Sequence, residues 1–234
     1  MVEGSAFVAA PSGGMTLAQM GAEVIRFDQL GGGIDYKRWP LTEDGVSLYW
    51  NGLNRGKKSV VADLQAPEIQ ILLSELIATS GNFLTNFPAK GWLSYEKLSE
   101  KRPDLVMVAI TGSHDGTTAV DYTINCAVGI PSITGHVDDP RPVNHSLPAW
   151  DLICGQTAAL GMLAADRYRT QTGEGQLVGL ALSDVALAAV AWRGDLSEVE
   201  LGGEERKKLG NYLYGAFGRD FLSLDGRHVM VVAI

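Results

Sequence analysis

Apolar residues along this chain fall into short dense runs separated by amphipathic stretches. Glu23 to Phe27 (EVIRF) and Lys58 to Leu64 (KSVVADL) read as buried strands, and Leu105 to Ile110 (LVMVAI) as a strand covered on both faces. Between them Pro67 takes the first turn of a helix whose Ile69, Leu72, Leu73, Leu76 and Ile77 share one face. A short helix from Gly14 to Met20 precedes the first run, and Asn82 to Asn86 makes a short strand. Ser94 caps a helix to Lys101 that turns Glu96 and Glu100 to solvent. A helix near Asp121 to Gly129 is bracketed by the loop Thr111 to Thr118 and the proline-rich stretch Pro140 to Pro148. Asp151 then opens a long helix of small residues that Gly173 ends. Gln176 to Leu182 forms one more strand, and an alanine-rich helix runs to about Trp192.

Such alternation predicts an α/β fold with a mainly parallel sheet. From Asp195 to Leu209 the chain turns charged and polar (DLSEVELGGEERKKL), which reads as a linker or exposed excursion. Two strands follow, Phe221 to Leu224 and Val229 to Ile234, joined at Asp225-Gly226. Strand-like residues stand at both ends, so an incomplete domain is expected.

Composition narrows the classes. With 19 Lys and Arg against 27 Asp and Glu, the net charge of -8 disfavours general attraction to nucleic acid or an anionic membrane. Cys126 and Cys154 are too few and too far apart for a disulfide framework or a CxxC site. No signal peptide or spanning run is visible, and a cytoplasmic address is the default.

Asp151 admits two readings: an ordinary helix cap, or a carboxylate kept ionised by the helix amino end and able to attack an activated carbonyl. Asn54 to Ser59 (NRGKKS) clusters basic residues that suit phosphates or a solvated turn, and Lys37-Arg38 after the triple glycine is a weaker candidate. His114-Asp115 is an acid/base pair or a polar turn. No GxxxxGK[ST], GxSxG or HExxH occurs, and the four histidines and two cysteines suggest no metal site. Gly173-Glu174-Gly175 precedes a strand, whereas a nicotinamide-binding fingerprint follows one.

Taken in order, AAPSGGMTLAQMGAEVIRFD, NRGKKSVVADL, FLTNFPAKGWLSYEKLSEKRPDLVMVAITG and PAWDLICGQTAALGMLAADRYRTQTGEGQLVGLAL resemble the family III CoA transferases. This group includes formyl-CoA and carnitine CoA transferases and α-methylacyl-CoA racemases. The resemblance implies a Rossmann-like CoA-binding large domain at 1-194, with a linker and the start of a smaller domain at 195-234, truncated at both ends. It makes Asp151 the nucleophile, with CoA, part of the substrate, along Val8, Ala9, Lys57, Lys58, Asn86 and Phe87. No metal or nicotinamide is implied. The segment NFPAKGW is shorter than the NFRPG and longer helix of many relatives, and Gly210 to Gly218 (GNYLYGAFG) takes the place of a glycine-rich loop that closes over the intermediate.

Racemases carry a histidine just before an aspartate where this chain reads Ala119-Val120-Asp121, which disfavours racemisation. FVAAPSGGMTLAQMGAEVIRFD, GGGIDYKRWP, VDYTINCAVGIPSITG, VNHSLPAWD and GNYLYGAFGRDF point instead to intramolecular members, which move CoA between the carboxyls of a short branched unsaturated diacid. Asn144 and His145, or Arg141, would then hold the second carboxylate. The resemblance further implies an interlocked homodimer. The alternatives are an intermolecular transferase for another small acid and a CoA-binding, catalytically incomplete chain.

Overall fold

The computed structural model describes residues 1–233. Its elements in order are β1 (Val2–Gly4), α1 (Ala9–Gln19), β2 (Ile25–Gln29), α2 (Leu48–Leu53), β3 (Lys58–Ala62), α3 (Pro67–Ser80) and β4 (Asn82–Thr85). Then follow α4 (Tyr95–Lys101), β5 (Val106–Thr111), α5 (Asp121–Ala127), α6 (Ile130–Ile133) and α7 (Ala149–Thr172). The last are β6 (Gln176–Ala181), α8 (Leu182–Trp192), α9 (Asp195–Gly202), β7 (Phe217–Leu222) and β8 (His228–Ala233).

Six strands form one parallel sheet in the order β3-β2-β1-β4-β5-β6. This is the order of a Rossmann sheet, with its reversal between β1 and β4. Register assigns the two faces: Val2, Phe27, Phe83 and Met107 project to one side and join Leu73, Ile77, Leu98 and Leu105 in a core under α3 and α4. Leu84 and Val108 project to the other, where α1 and α7 pack. Ser94 caps α4 by accepting from Lys97 N at 3.3 Å. Among the described residues no helix is long and apolar enough to cross a membrane.

The chain divides into two compact units, Met1–Val120 with Ala149–Val185, and Asp121–Pro148 with Ala186–Ile234. These limits differ from a boundary at 194/195. The first unit contains the sheet; the second contains α5, α6, α9 and the antiparallel β7–β8 ribbon.

Several elements depart from the sequence reading. The first helix starts at Ala9, five residues before Gly14, because burial of Ala9 to Gly14 overrides the poor helix propensity of Pro11, Gly13 and Gly14. Within the charged segment 195–209, Asp195–Gly202 is a helix: Asp195 and Glu198 occupy its first turn, where the dipole favours them, and both pair with Arg206. The ribbon begins at Phe217 and turns through residues 223–227, a longer loop than Asp225-Gly226 alone. Ile234 of the expected last strand lies outside the described residues.

Candidate active site

In parallel topology each crossover helix runs back along the sheet, so its amino end lies at the carboxyl edge of the strands. α1 follows β1 and α7 leads into β6, which sets Val8, Ala9 and Asp151 at that edge. The helices meet where only glycine fits. A Cβ on Gly155 would lie 1.9 Å from Ser12 Oγ and 2.6 Å from the Ala9 carbonyl oxygen, and one on Gly13 would lie 2.8 Å from Gly155 O. Asp151 precedes Gly155 by four residues, just over one helical turn and about 6 Å of rise. The close approach thus ties the start of α1 to the turn bearing Asp151.

Asp151 is the third residue of α7, inside the first turn and not the capping position. It is half-buried beside buried Trp150. A carboxylate there gains about 0.3–1 kcal/mol from the helix dipole when exposed. Cys154, one turn on, is fully buried, and burial followed by the Asp151 charge pushes its thiol up to about 12. It is therefore a poor competitor as a nucleophile.

The loop between β1 and α1 is fastened from both sides. Asn86, just past β4, accepts from Ala6 N and donates from Nδ2 to Ala6 O, both at 2.8 Å. Thr85 Oγ1 donates to Gly4 O at 2.7 Å and accepts from Phe87 N at 2.9 Å. From β2, Arg26 Nη2 donates to Ser5 O at 2.9 Å. This is the β1/β4 switch point, the usual ligand crevice of such sheets. Val8, Ala9 and Asn86 are thus brought to one place. Phe87 also serves the core, its ring edge-on to Phe27 at 6.1 Å.

The basic turn is put to a different use. Lys57 Nζ is buried and donates to Glu3 Oε1, Pro11 O and Asn54 Oδ1, each at 2.8 Å. Burial lowers its pKa, with Glu3 pulling the other way. Arg26 grips Asp28 through two bonds of 2.8 and 2.9 Å and also meets Asn54. Lys58 begins β3 at the amino edge of the sheet, paired with Glu23, opposite the edge that carries Asp151. The Lys57 ammonium is thus engaged inside the protein, against the first turn of α1, while Lys58 stands at the far edge.

Within the second unit, His145 Nε2 lies 2.7 Å from Asp121 Oδ1, and its ring stands edge-on to Tyr122 at 5.8 Å. An imidazole therefore reaches Asp121 from 24 residues downstream, although Val120 fills the adjacent position. Asn144 Oδ1 accepts from Asn125 Nδ2 at 2.6 Å and from His145 N at 3.0 Å. Arg141 is exposed and bound to Asp139, whose carboxyl it holds down at about 2. Gly210 to Gly218 forms the turns that enter β7, with Arg206 stacked 4.1 Å over Tyr214.

In the first unit His114 pairs with Asp184 at 2.8 Å, and Asp115 accepts from Thr117 as in a polar turn. Asp115 is thus no acid/base partner for His114. Among the described residues no group of His, Cys, Asp and Glu is placed to hold a metal ion.

Sequence reasoning passed over Phe7, Arg26 and Glu3. Arg26 and Glu3 left a signal, as charges inside strands with buried neighbours. Phe7 left none.

A family model described as CoA-transferase family III matches residues 1–234. The chain belongs to CoA-transferase family III. It is 58% identical over 239 residues to a 2-methylfumaryl-CoA isomerase of Chloroflexus aurantiacus, covering 100% of this chain and 58% of that protein. It is 30% identical over 243 residues to a succinyl-CoA:mesaconate CoA-transferase of Haloarcula hispanica, covering 97% of this chain and 61% of the relative. Among solved structures, a CAIB/BAIF family protein from Brucella suis matches with a TM-score of 0.84 at 26% identity, over 97% of this chain and 63% of that one. The chain thus spans about three-fifths of the length of these family members.

Proposed function

We propose that the chain moves CoA between the two carboxyl groups of 2-methylfumarate by covalent catalysis on Asp151. The observation that carries this reading is the 58% identity, across the whole chain, to a 2-methylfumaryl-CoA isomerase. A carboxylate in the first turn of α7, tied to the switch-point loop, supports it further.

In this mechanism an Asp151 oxygen attacks the thioester carbonyl, the C–S bond breaks, and a mixed anhydride forms as CoA leaves as thiolate. The thiolate attacks the aspartyl carbonyl, giving an aspartyl-CoA thioester and free dicarboxylate. The other carboxylate of the diacid then attacks that thioester and expels the thiolate again. Return of the thiolate to the new acyl carbon releases the isomeric thioester and restores Asp151. The freed diacid must stay bound meanwhile. Val8, Ala9 and Asn86 contact CoA in this reading. The working protein is a cytoplasmic homodimer.

A second reading, transfer to a separate acid, draws on the 30% identity to a succinyl-CoA:mesaconate CoA-transferase. Incubation with mesaconyl-CoA alone distinguishes them. Redistribution of the thioester between the carboxyls without added acid supports the intramolecular route, while strict dependence on added succinate replaces it with the second.

A further inference from the structure

Phe7 has no part in the mechanism above, yet the fold holds it in a costly conformation. Among the described residues it is the one non-glycine with positive φ, at 63°, a region that a side chain with a Cβ rarely adopts. Core packing does not account for this: Phe7 is 42% exposed, whereas Ser5, Val8 and Ala9 around it are buried. Its own N–H donates to the buried Asp35 carboxylate, and the flanks are held as well. Asn86 clamps both polar groups of Ala6, Arg26 holds the Ser5 carbonyl, and Ser12 N donates to Val8 O at 2.8 Å as α1 begins. A strained residue in a rigid loop at a switch point is a common mark of ligand contact.

Placement narrows the ligand. Phe7 stands two residues before Ala9, whose carbonyl abuts Gly155, one turn from Asp151. The ring is apolar and half-exposed, so it suits hydrocarbon better than phosphate. We propose that Phe7 is a binding residue of this site, its ring packing on the hydrocarbon of the acyl group as the thioester approaches Asp151. The inference rests on the function proposed above.

Calorimetric titration of Asp151→Ala protein with mesaconyl-CoA and with free CoA measures binding without turnover. Adding Phe7→Gly should leave the melting temperature equal or higher, because glycine adopts this φ freely. It should also weaken mesaconyl-CoA binding by about tenfold, from the loss of one apolar contact, with less effect on free CoA. Phe7→Tyr should keep the affinity. An unchanged affinity in Phe7→Gly overturns the inference, as does equal weakening of both ligands, which would place the ring on the CoA arm. A lower melting temperature at unchanged affinity would make Phe7 a packing residue and equally overturn it. If the Phe7-containing parent binds neither ligand, the proposed function fails as well.

Discussion

Replacing Gly155 by alanine should destabilise the chain, although glycine to alanine inside a helix ordinarily gains about 0.5–1 kcal/mol. The sign turns on what the new methyl meets. It would sit 2.6 Å from the Ala9 carbonyl oxygen, and ordinary contact begins near 3.4 Å, so α1 must retreat by about 0.8 Å. Ser12 Oγ, at 1.9 Å, must also leave a position from which it donates to Ala9 O at 2.9 Å. Overpacking of this kind costs about 1–3 kcal/mol, which exceeds the propensity gain. At about 2–4 °C per kcal/mol for a chain of this size, the melting temperature should fall by a few degrees. Gly161→Ala, in the same helix, supplies the control: its methyl meets only Val178 Cγ1, at 3.4 Å, so propensity should prevail and the melting temperature hold or rise. Calorimetric melts of both variants decide the matter. A Gly155→Ala protein that melts with or above the Gly161→Ala protein would show that α1 and α7 do not meet as described.

Three further outcomes are expected. Lys57→Met removes one of the donors to the buried Glu3 carboxylate, which keeps Ser5 Oγ at 2.6 Å and Arg26 at 3.5 Å, and should cost about 1–3 kcal/mol; an unchanged melting temperature contradicts this. At pH 8 Ellman's reagent should label exposed Cys126 quickly and Cys154, held at about 12, only after denaturation, so two fast thiols would refute the assigned burial. His114 should titrate above its ordinary 6.5 because its hydrogen bond to Asp184 favours the charged ring. Its folded value being raised, any stability from the pair is complete below the ordinary 6.5 and is lost as pH rises through the higher folded value. An NMR titration should show Asp184→Asn lowering the midpoint, and an unmoved midpoint rejects the pairing.

Local signals were legible where one sequence stretch decides the structure. Pro67 at the start of α3, Ser94 before α4 and the dense run of β5 each carry their cause within a few neighbours. The α/β class follows from their alternation. Strand order does not, since it depends on pairings such as Val2 with Phe83, far apart in the chain. The same limit applied to the site. Asp151 was visible as a carboxylate at a helix start, but α7 begins two residues earlier, at Ala149, which moves Asp151 into the first turn. Lys57 looked like a surface cation because its partners Glu3 and Pro11 lie 54 and 46 residues away. His145 met Asp121 across 24 residues, and no spacing rule announces such a pair. The segment at Asp195 was read by composition alone, while its helix draws on Arg206 beyond it.

The central claim is that Asp151 carries the transferred groups. Protein mixed with mesaconyl-CoA and quenched in hydroxylamine should yield a hydroxamate on the peptide containing Asp151, since an anhydride or thioester there is captured while a free carboxylate is not. Asp151→Asn protein should give no modified peptide and no thioester redistribution. Redistribution that persists in Asp151→Asn, or a hydroxamate mapped to another residue, would contradict the account.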